Sequence, residues 1–134
     1  GLRREIAAHA AEAGDDFVED QQDAMLRAQL ALFDVRAKAF AAQSERFIDE
    51  LKAGQAHPAQ PSMMKYYGTE LNKARHELLM AAGGSDALEW ESEASREGAK
   101  PRNWLRTKAN SIEGGTSEIQ LNIIAKHLLQ LPGA

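Results

Sequence analysis

Apolar residues recur at three- and four-residue spacings through most of the chain, a pattern that predicts helices. The longest such run extends from about Asp20 to Ala53. Met25, Leu26, Leu30, Phe33, Ala37, Phe40, Phe47, Ile48 and Leu51 mark its apolar face. Asp20 or Glu19 opens it, Lys52 lies in its last turn and Gly54 follows. A helix of this length spans about 50 Å at 1.5 Å per residue. It needs partners along that length, so the pattern predicts a bundle, with Met25 and the phenylalanines filling a core. A shorter stretch, Gly1 to Ala13, sets Leu2, Ile6 and Ala10 on one face, and Gly14-Asp15-Asp16 reads as its end. It begins without a cap or an initiator Met, as the tail of a longer helix would.

Gln55 to Gln60 reads as a loop, with His57 solvated. Pro61 suits the first turn of a helix that runs to about Ala82. Met63, Met64, Tyr67, Leu71, Ala74, Leu78 and Leu79 form its apolar stripe. Gly68 inside it costs about 1 kcal/mol against Ala, and close helix packing is the expected reason. His76 lies beside the stripe and reads as a surface or packing residue. Gly83-Gly84 stops this helix. Ser85 to Lys100 is polar and reads as a surface excursion around Trp90. Its Glu89, Glu91 and Glu93 diverge on a helix and have no histidine beside them, so a solvated acidic loop is the reading and no metal site is expected. Pro101 opens another helix, with Trp104 and Leu105 as apolar contacts and Arg102, Arg106 and Lys108 as a basic edge. A last helix covers Ser117 to about Leu129, burying Ile119, Ile123, Ile124, Leu128 and Leu131. The fold expected is all-α, an up-down arrangement like a four-helix bundle, in a single domain over 1–134.

Composition supports this picture. The chain has 134 residues, enough for a real core, with 43% hydrophobic and 27% charged residues. A net charge of −4 argues against nucleic-acid binding, which needs a basic face. With no cysteine, disulfides, thiolate metal sites and Cys nucleophiles are excluded. No apolar run approaches the ~20 residues that cross a bilayer. No signal peptide is visible, and the cytoplasm is the default location. The four histidines are scattered, and no Gly-x-Ser-x-Gly elbow exists.

One stretch stands apart: Ser111-Ile112-Glu113-Gly114-Gly115-Thr116-Ser117-Glu118-Ile119-Gln120. Two glycines allow positive φ or close approach to a ligand. Thr116 or Ser117 can cap the helix that follows. Glu118 suits the positive end of its dipole. By residue chemistry the stretch reads first as a helix entrance, since caps are common and phosphate loops are not, although the same geometry presents free N–H groups to an anion. It lacks the lysine of a Walker loop and the spacing of a dinucleotide fingerprint. From the residues alone, two functions remain open: part of a cofactor enzyme, or a helical oligomerisation module without chemistry.

This stretch, with Asn122-Ile123-Ile124-Ala125 and the Leu131-Pro132 end, closely resembles the bacterial-type C-terminal signature of the acyl-CoA dehydrogenases. Weaker similarity extends back through Trp104-Leu105-Arg106 and the Met63–Met80 and Gln21–Leu51 segments. The resemblance implies an FAD-dependent flavoenzyme of fatty acid metabolism that oxidises an acyl-CoA to the trans-2-enoyl-CoA. A base takes the α-proton, hydride passes from the β-carbon to the flavin, and an electron-transfer flavoprotein accepts the electrons. It implies the C-terminal helical bundle of that fold, without the N-terminal helical and middle β-domains, and a fragment inactive by itself. The family's Arg-x-x-Phe-Gly stretch is absent. By resemblance Thr116, Ser117 and Glu118 contact FAD, Gly114 and Gly115 line the acyl-thioester site, and Gly83 and Gly84 reach a partner subunit's FAD. A homodimer, homotetramer or heteromer is implied. Many members carry their catalytic glutamate where Gly114 stands here, and Glu113 is the nearest carboxylate. The base is then Glu113 through an altered turn, a residue on the preceding helix, or absent from this subunit of a heteromeric enzyme. The runner-up functions are an acyl-CoA oxidase, a nitroalkane-oxidase-like enzyme or a non-catalytic module.

Overall fold

A computed structural model of the chain describes residues 2–133, with side chains from Asp20 onward. Among the described residues the fold is all-helical, with four helices: α1 (Leu2–Lys52), α2 (Gln60–Gly83), α3 (Ala99–Lys108) and α4 (Ser117–Ile123). Short 3-10 turns follow α2 (Gly84–Leu88) and α3 (Ala109–Ser111), and a π-turn over Ile124–Leu128 continues α4. Helix α2 is the hub, since α1, α3 and α4 all pack on it.

The expected break at Gly14-Asp15-Asp16 does not occur; α1 is one helix of 51 residues. A single internal glycine costs only about 1 kcal/mol, which the strong helix formers around it outweigh. The expected Leu2, Ile6 and Ala10 face and His9 lie outside the described side chains. Further along, ion pairs at helical spacing support α1: Asp23–Arg27 at 3.5 Å, Asp34–Lys38 at 2.6 Å and Arg46–Glu50 at 2.7 Å. The helix ends as Gly54 suggested. With φ +67 at Gly54, the Gly54 N–H donates to the Leu51 carbonyl at 3.1 Å and the Gln55 N–H to the Glu50 carbonyl at 2.8 Å. That pair of bonds is the Schellman arrangement. His57 is exposed, but it is not only solvated: its Nδ1 accepts the Ala59 N–H at 3.1 Å at the entrance to α2.

Only one line of α1 faces α2. Leu26, Phe33, Ala37, Phe40 and Phe47 are half-buried along it, whereas Met25, Leu30, Ile48 and Leu51 are exposed. The expected apolar face is therefore wider than the contact it finds, because α1 rests on a single neighbour. At Gly68 the two helices pack tightly: a Cβ there would stand 3.0 Å from Phe40 Cζ. The Phe40 and Tyr67 rings lie beside it with centroids 5.5 Å apart. Close packing at Gly68 is thus borne out.

The remaining core is thin. Ala59 and Ala87 are the buried hydrophobic residues, and among the described residues no large apolar side chain is fully buried. The chain exposes 9826 Å², against about 6900 Å² expected of a compact monomer of 14.7 kDa. The expected inward face of the last helix is partly reversed: Ile119 in α4 and Leu131 beyond it are exposed, and Gln120 is buried. Leu105 of α3 is likewise exposed. No helix among the described residues is long and apolar enough to cross a membrane.

Gly68→Val tests the α1–α2 contact. The added methyls push on the Phe40 ring, and overpacking of this kind costs about 1–3 kcal/mol. Thermal unfolding followed by circular dichroism should show a lowered midpoint. An unchanged midpoint would mean that α1 does not depend on this contact.

Candidate functional site

The glycine turn is built where α3 hands over to α4. After Lys108 the chain tightens, with the Ile112 and Glu113 N–H groups both donating to the Ala109 carbonyl at 2.9 and 3.0 Å. Gly114 (φ +67) and Gly115 (φ +92) then reverse it. Thr116 is extended and caps α4, its hydroxyl oxygen accepting the Ile119 N–H at 3.3 Å. The expected helix entrance and its cap are therefore present.

Side-chain contacts from α2 and α4 hold the turn in place. From α2, Lys65 Nζ donates to the Asn110 carbonyl at 3.0 Å and to the Gly115 carbonyl at 2.7 Å. Lys73 Nζ donates to Ser111 Oγ at 2.8 Å while paired with Glu70 at 3.0 Å. Asn72 Nδ2 donates to Asn110 Oδ1 at 2.9 Å. From α4, Gln120 Nε2 donates to the Gly114 carbonyl at 3.0 Å. A Cβ on Gly115 would stand 2.6 Å from that nitrogen, so a side chain there displaces the end of Gln120. Nothing lies within 4 Å of a Cβ on Gly114.

The turn's two glycine carbonyls thus point inward, one to α2 and one to α4. Among the described residues no acceptor is found for the N–H groups of Gly114, Gly115, Thr116 and Ser117. Ser117 Oγ is buried and has no hydrogen-bond partner. Gly114 and Gly115 themselves are exposed.

Glu113 is held by Arg106 in a two-pronged pair, Nη2 to Oε2 at 2.9 Å and Nη1 to Oε1 at 3.3 Å, and Asn110 Nδ2 also donates to it. The Arg106 guanidinium, followed by the Asn110 amide, keeps the Glu113 carboxyl below its ordinary range. Glu118 is also lowered, first by its own backbone N–H and then by the Thr116 hydroxyl. The basic edge of α3 is thereby engaged: Arg106 binds Glu113, Lys108 pairs with Glu77, and Arg102 lies over the Trp90 ring at 4.5 Å.

Gly83 and Gly84 are not part of this cluster. They border a cleft of about 570 Å³ between the end of α2 and Gln22, Asp23, Met25, Leu26 and Gln29 of α1. At 1.5 Å per residue they lie about 27 Å along α2 from Lys65. Gly83 is required sterically, since a Cβ would meet Ala87 Cβ at 2.6 Å. The structure therefore gathers residues 113–118 and leaves Gly83 and Gly84 apart. Glu89, Glu91 and Glu93 are exposed, and no metal-ligating cluster exists among the described residues.

Sequence reasoning missed Lys65, Lys73, Asn72 and the buried role of Gln120. Lysines on the polar side of a helix read as solvated, and only Gln120's place within the motif hinted at use.

The chain matches the family described as "Acyl-CoA dehydrogenase, C-terminal domain" over residues 4–129. No curated protein and no solved structure matches it.

Two measurements test the turn. Gly115→Ala should be costlier than Gly114→Ala: both accept an unfavourable φ, roughly 1–2 kcal/mol, but only the first displaces the Gln120 amide. Equal unfolding midpoints for the two variants would remove Gln120 from the scaffold. The second is pH dependence. Glu113, Glu77 and Glu118 all have lowered folded pKa values. Their contribution is fully present above the ordinary value of 4.5 and is lost as pH falls through the folded values. The unfolding midpoint should fall with acid below about pH 4.5, and less steeply in Glu113→Gln.

Proposed function

The chain belongs to the acyl-CoA dehydrogenase family as a C-terminal domain, and from that premise we propose that it serves the FAD-dependent oxidation of an acyl-CoA to the trans-2-enoyl-CoA. The observation that carries this reading is the turn itself. Its carbonyls are tied inward while its N–H groups and the buried Ser117 hydroxyl lack partners. Backbone donors without protein acceptors on an exposed turn suit a ligand rich in phosphate and hydroxyl oxygens.

In this proposal Thr116, Ser117 and Glu118 hold the FAD chain. FAD, when bound, takes up hydride from the β-carbon. Gly114, with no side chain and open space above it, lets the acyl thioester approach the backbone, and Gly115 lines the same edge. Lys65 orients the turn by holding its carbonyls away from the ligand. Gly83 and Gly84, distant from this turn within one chain, serve a partner subunit's FAD. That arrangement calls for an oligomer, with an electron-transfer flavoprotein as acceptor.

Glu113 serves as a clamp in this reading and the α-proton goes elsewhere. A general base works best with its pKa near the operating pH and within reach of the proton. Glu113 is held below the ordinary range and locked on Arg106. The base is then on the preceding helix or on another subunit.

The test uses the full protein, mixed anaerobically with a panel of acyl-CoAs while flavin absorbance is followed. Bleaching should persist in Glu113→Gln. Loss of bleaching in that variant would assign the base to this turn, and a protein without flavin would overturn the FAD reading altogether. The 134-residue chain alone is expected to give no bleaching.

A further inference from the structure

The corner between α1 and α2 is closed by one histidine. His57 Nδ1 accepts the Ala59 N–H at 3.1 Å, and Gln60 Oε1 accepts the His57 N–H at 2.7 Å. This is the reciprocal arrangement of a capping box, built on the turn that leads into α2, with a histidine where a serine or threonine is usual. The Gln60 N–H also donates to the His57 carbonyl at 3.0 Å. Gln60 ties the box to α1: its Nε2 donates to Glu50 Oε2 at 2.5 Å, and Glu50 Oε1 accepts from Arg46 at 2.7 Å. The Glu50 backbone carbonyl accepts the Gln55 and Ala56 N–H groups at 2.8 and 3.1 Å.

A serine cap does not titrate near neutral pH, whereas an imidazole ordinarily does so between about pH 5 and 8. Nδ1 accepts a hydrogen bond only while it carries no hydrogen, and a protonated ring carries one on both nitrogens. Protonated Nδ1 meets the Ala59 N–H as donor against donor, and the bond is lost. The added charge also sits at the positive end of α2, where a cation is unfavourable. No acidic residue in the first turn of α2 offsets it. The charged groups around the corner are already engaged. On α1, the Gln60 amide, followed by Arg46, holds the Glu50 carboxyl below its ordinary range, and Lys52 is paired with Asp49 at 3.6 Å. On α2, Lys65 is bonded to two carbonyls. The loop from Ala53 to Ala59 has no charged residue besides His57 itself. Beyond α4, His127 shares with His57, Pro58, Ala59 and Ile123 a cavity of about 400 Å³, which gives a released ring room to swing.

We infer that His57 is a pH-sensitive latch: the neutral ring closes the α1–α2 corner, and the protonated ring releases it and loosens the start of α2. Lys65 lies about 7.5 Å along the helix from Gln60, and it holds the Asn110 and Gly115 carbonyls. Release therefore reaches the glycine turn through Lys65, whatever ligand that turn takes. The latch is closed at neutral pH and above, and it opens as acid protonates the ring.

The test is hydrogen–deuterium exchange of the full protein at about pH 8 and about pH 5, with rates corrected for the intrinsic pH dependence of amide exchange. In the wild type, peptides covering residues 57–66 should exchange about fivefold faster in acid, and those covering 110–117 should follow in the same direction. His57→Ser retains an acceptor that does not titrate, so its corner should stay protected at both pH values. His57→Ala has no acceptor, so its corner should be loose at both. His127→Gln should respond as the wild type does. Equal corrected rates at the two pH values in the wild type would overturn the latch. So would a wild-type response in His57→Ser, full protection of His57→Ala at the higher pH, or loss of the response in His127→Gln. A corner that loosens while residues 110–117 stay unchanged would overturn the link to the glycine turn.

Discussion

Lys65 joins two parts of the chain that lie far apart in sequence. Its ammonium donates to the Asn110 and Gly115 carbonyls, one on each side of the glycine reversal. With the Gln120 amide on Gly114, it turns the turn's acceptors inward and leaves its donors outward. An exposed reversal of two glycines would otherwise sample many conformations, since glycine loses more freedom on ordering than any other residue. A half-buried lysine that bonds two carbonyls offsets that entropy with charge-assisted hydrogen bonds. The polarity of the turn, and so its suitability for an anionic ligand, follows from this anchoring to α2.

Helix α2 is therefore both a scaffold and a divider. Near its start, Lys65, Asn72 and Lys73 hold the turn. At its end, Gly83 admits Ala87. Across the other side, α1 touches α2 along a single line closed by Phe40 on Gly68. Apolar residues outside that line, such as Leu30, Val35 and Leu51, remain exposed. A row of exposed apolar side chains on a long helix is a surface that gains free energy when covered.

Much of the fold was legible in the sequence. Three- and four-residue apolar spacing located α2 and the late part of α1, and Gly54 and Gly83 marked their ends. Gly68 was correctly read as a packing glycine, and the Gly-Gly-Thr-Ser-Glu-Ile-Gln stretch identified both the helix entrance and the family. Periodicity erred where it had to choose a face without knowing the neighbours. Ile119 and Leu131 were assigned inward, yet Gln120 took the interior because its amide completes the turn. The break expected at Gly14 failed because local signals near a glycine are weak beside the cooperativity of a long helix.

By itself the sequence determined what depends on residues close along the chain: helical periods, caps, glycine reversals and a family signature. The tertiary structure alone decided which polar groups meet. That Lys65 would reach Gly115 and that Arg106 would clamp Glu113 both depend on contacts between helices. A lysine or arginine on a helix surface has the same local pattern whether it meets water or a distant carbonyl. Only the packing of α3 and α4 on α2 distinguishes the two.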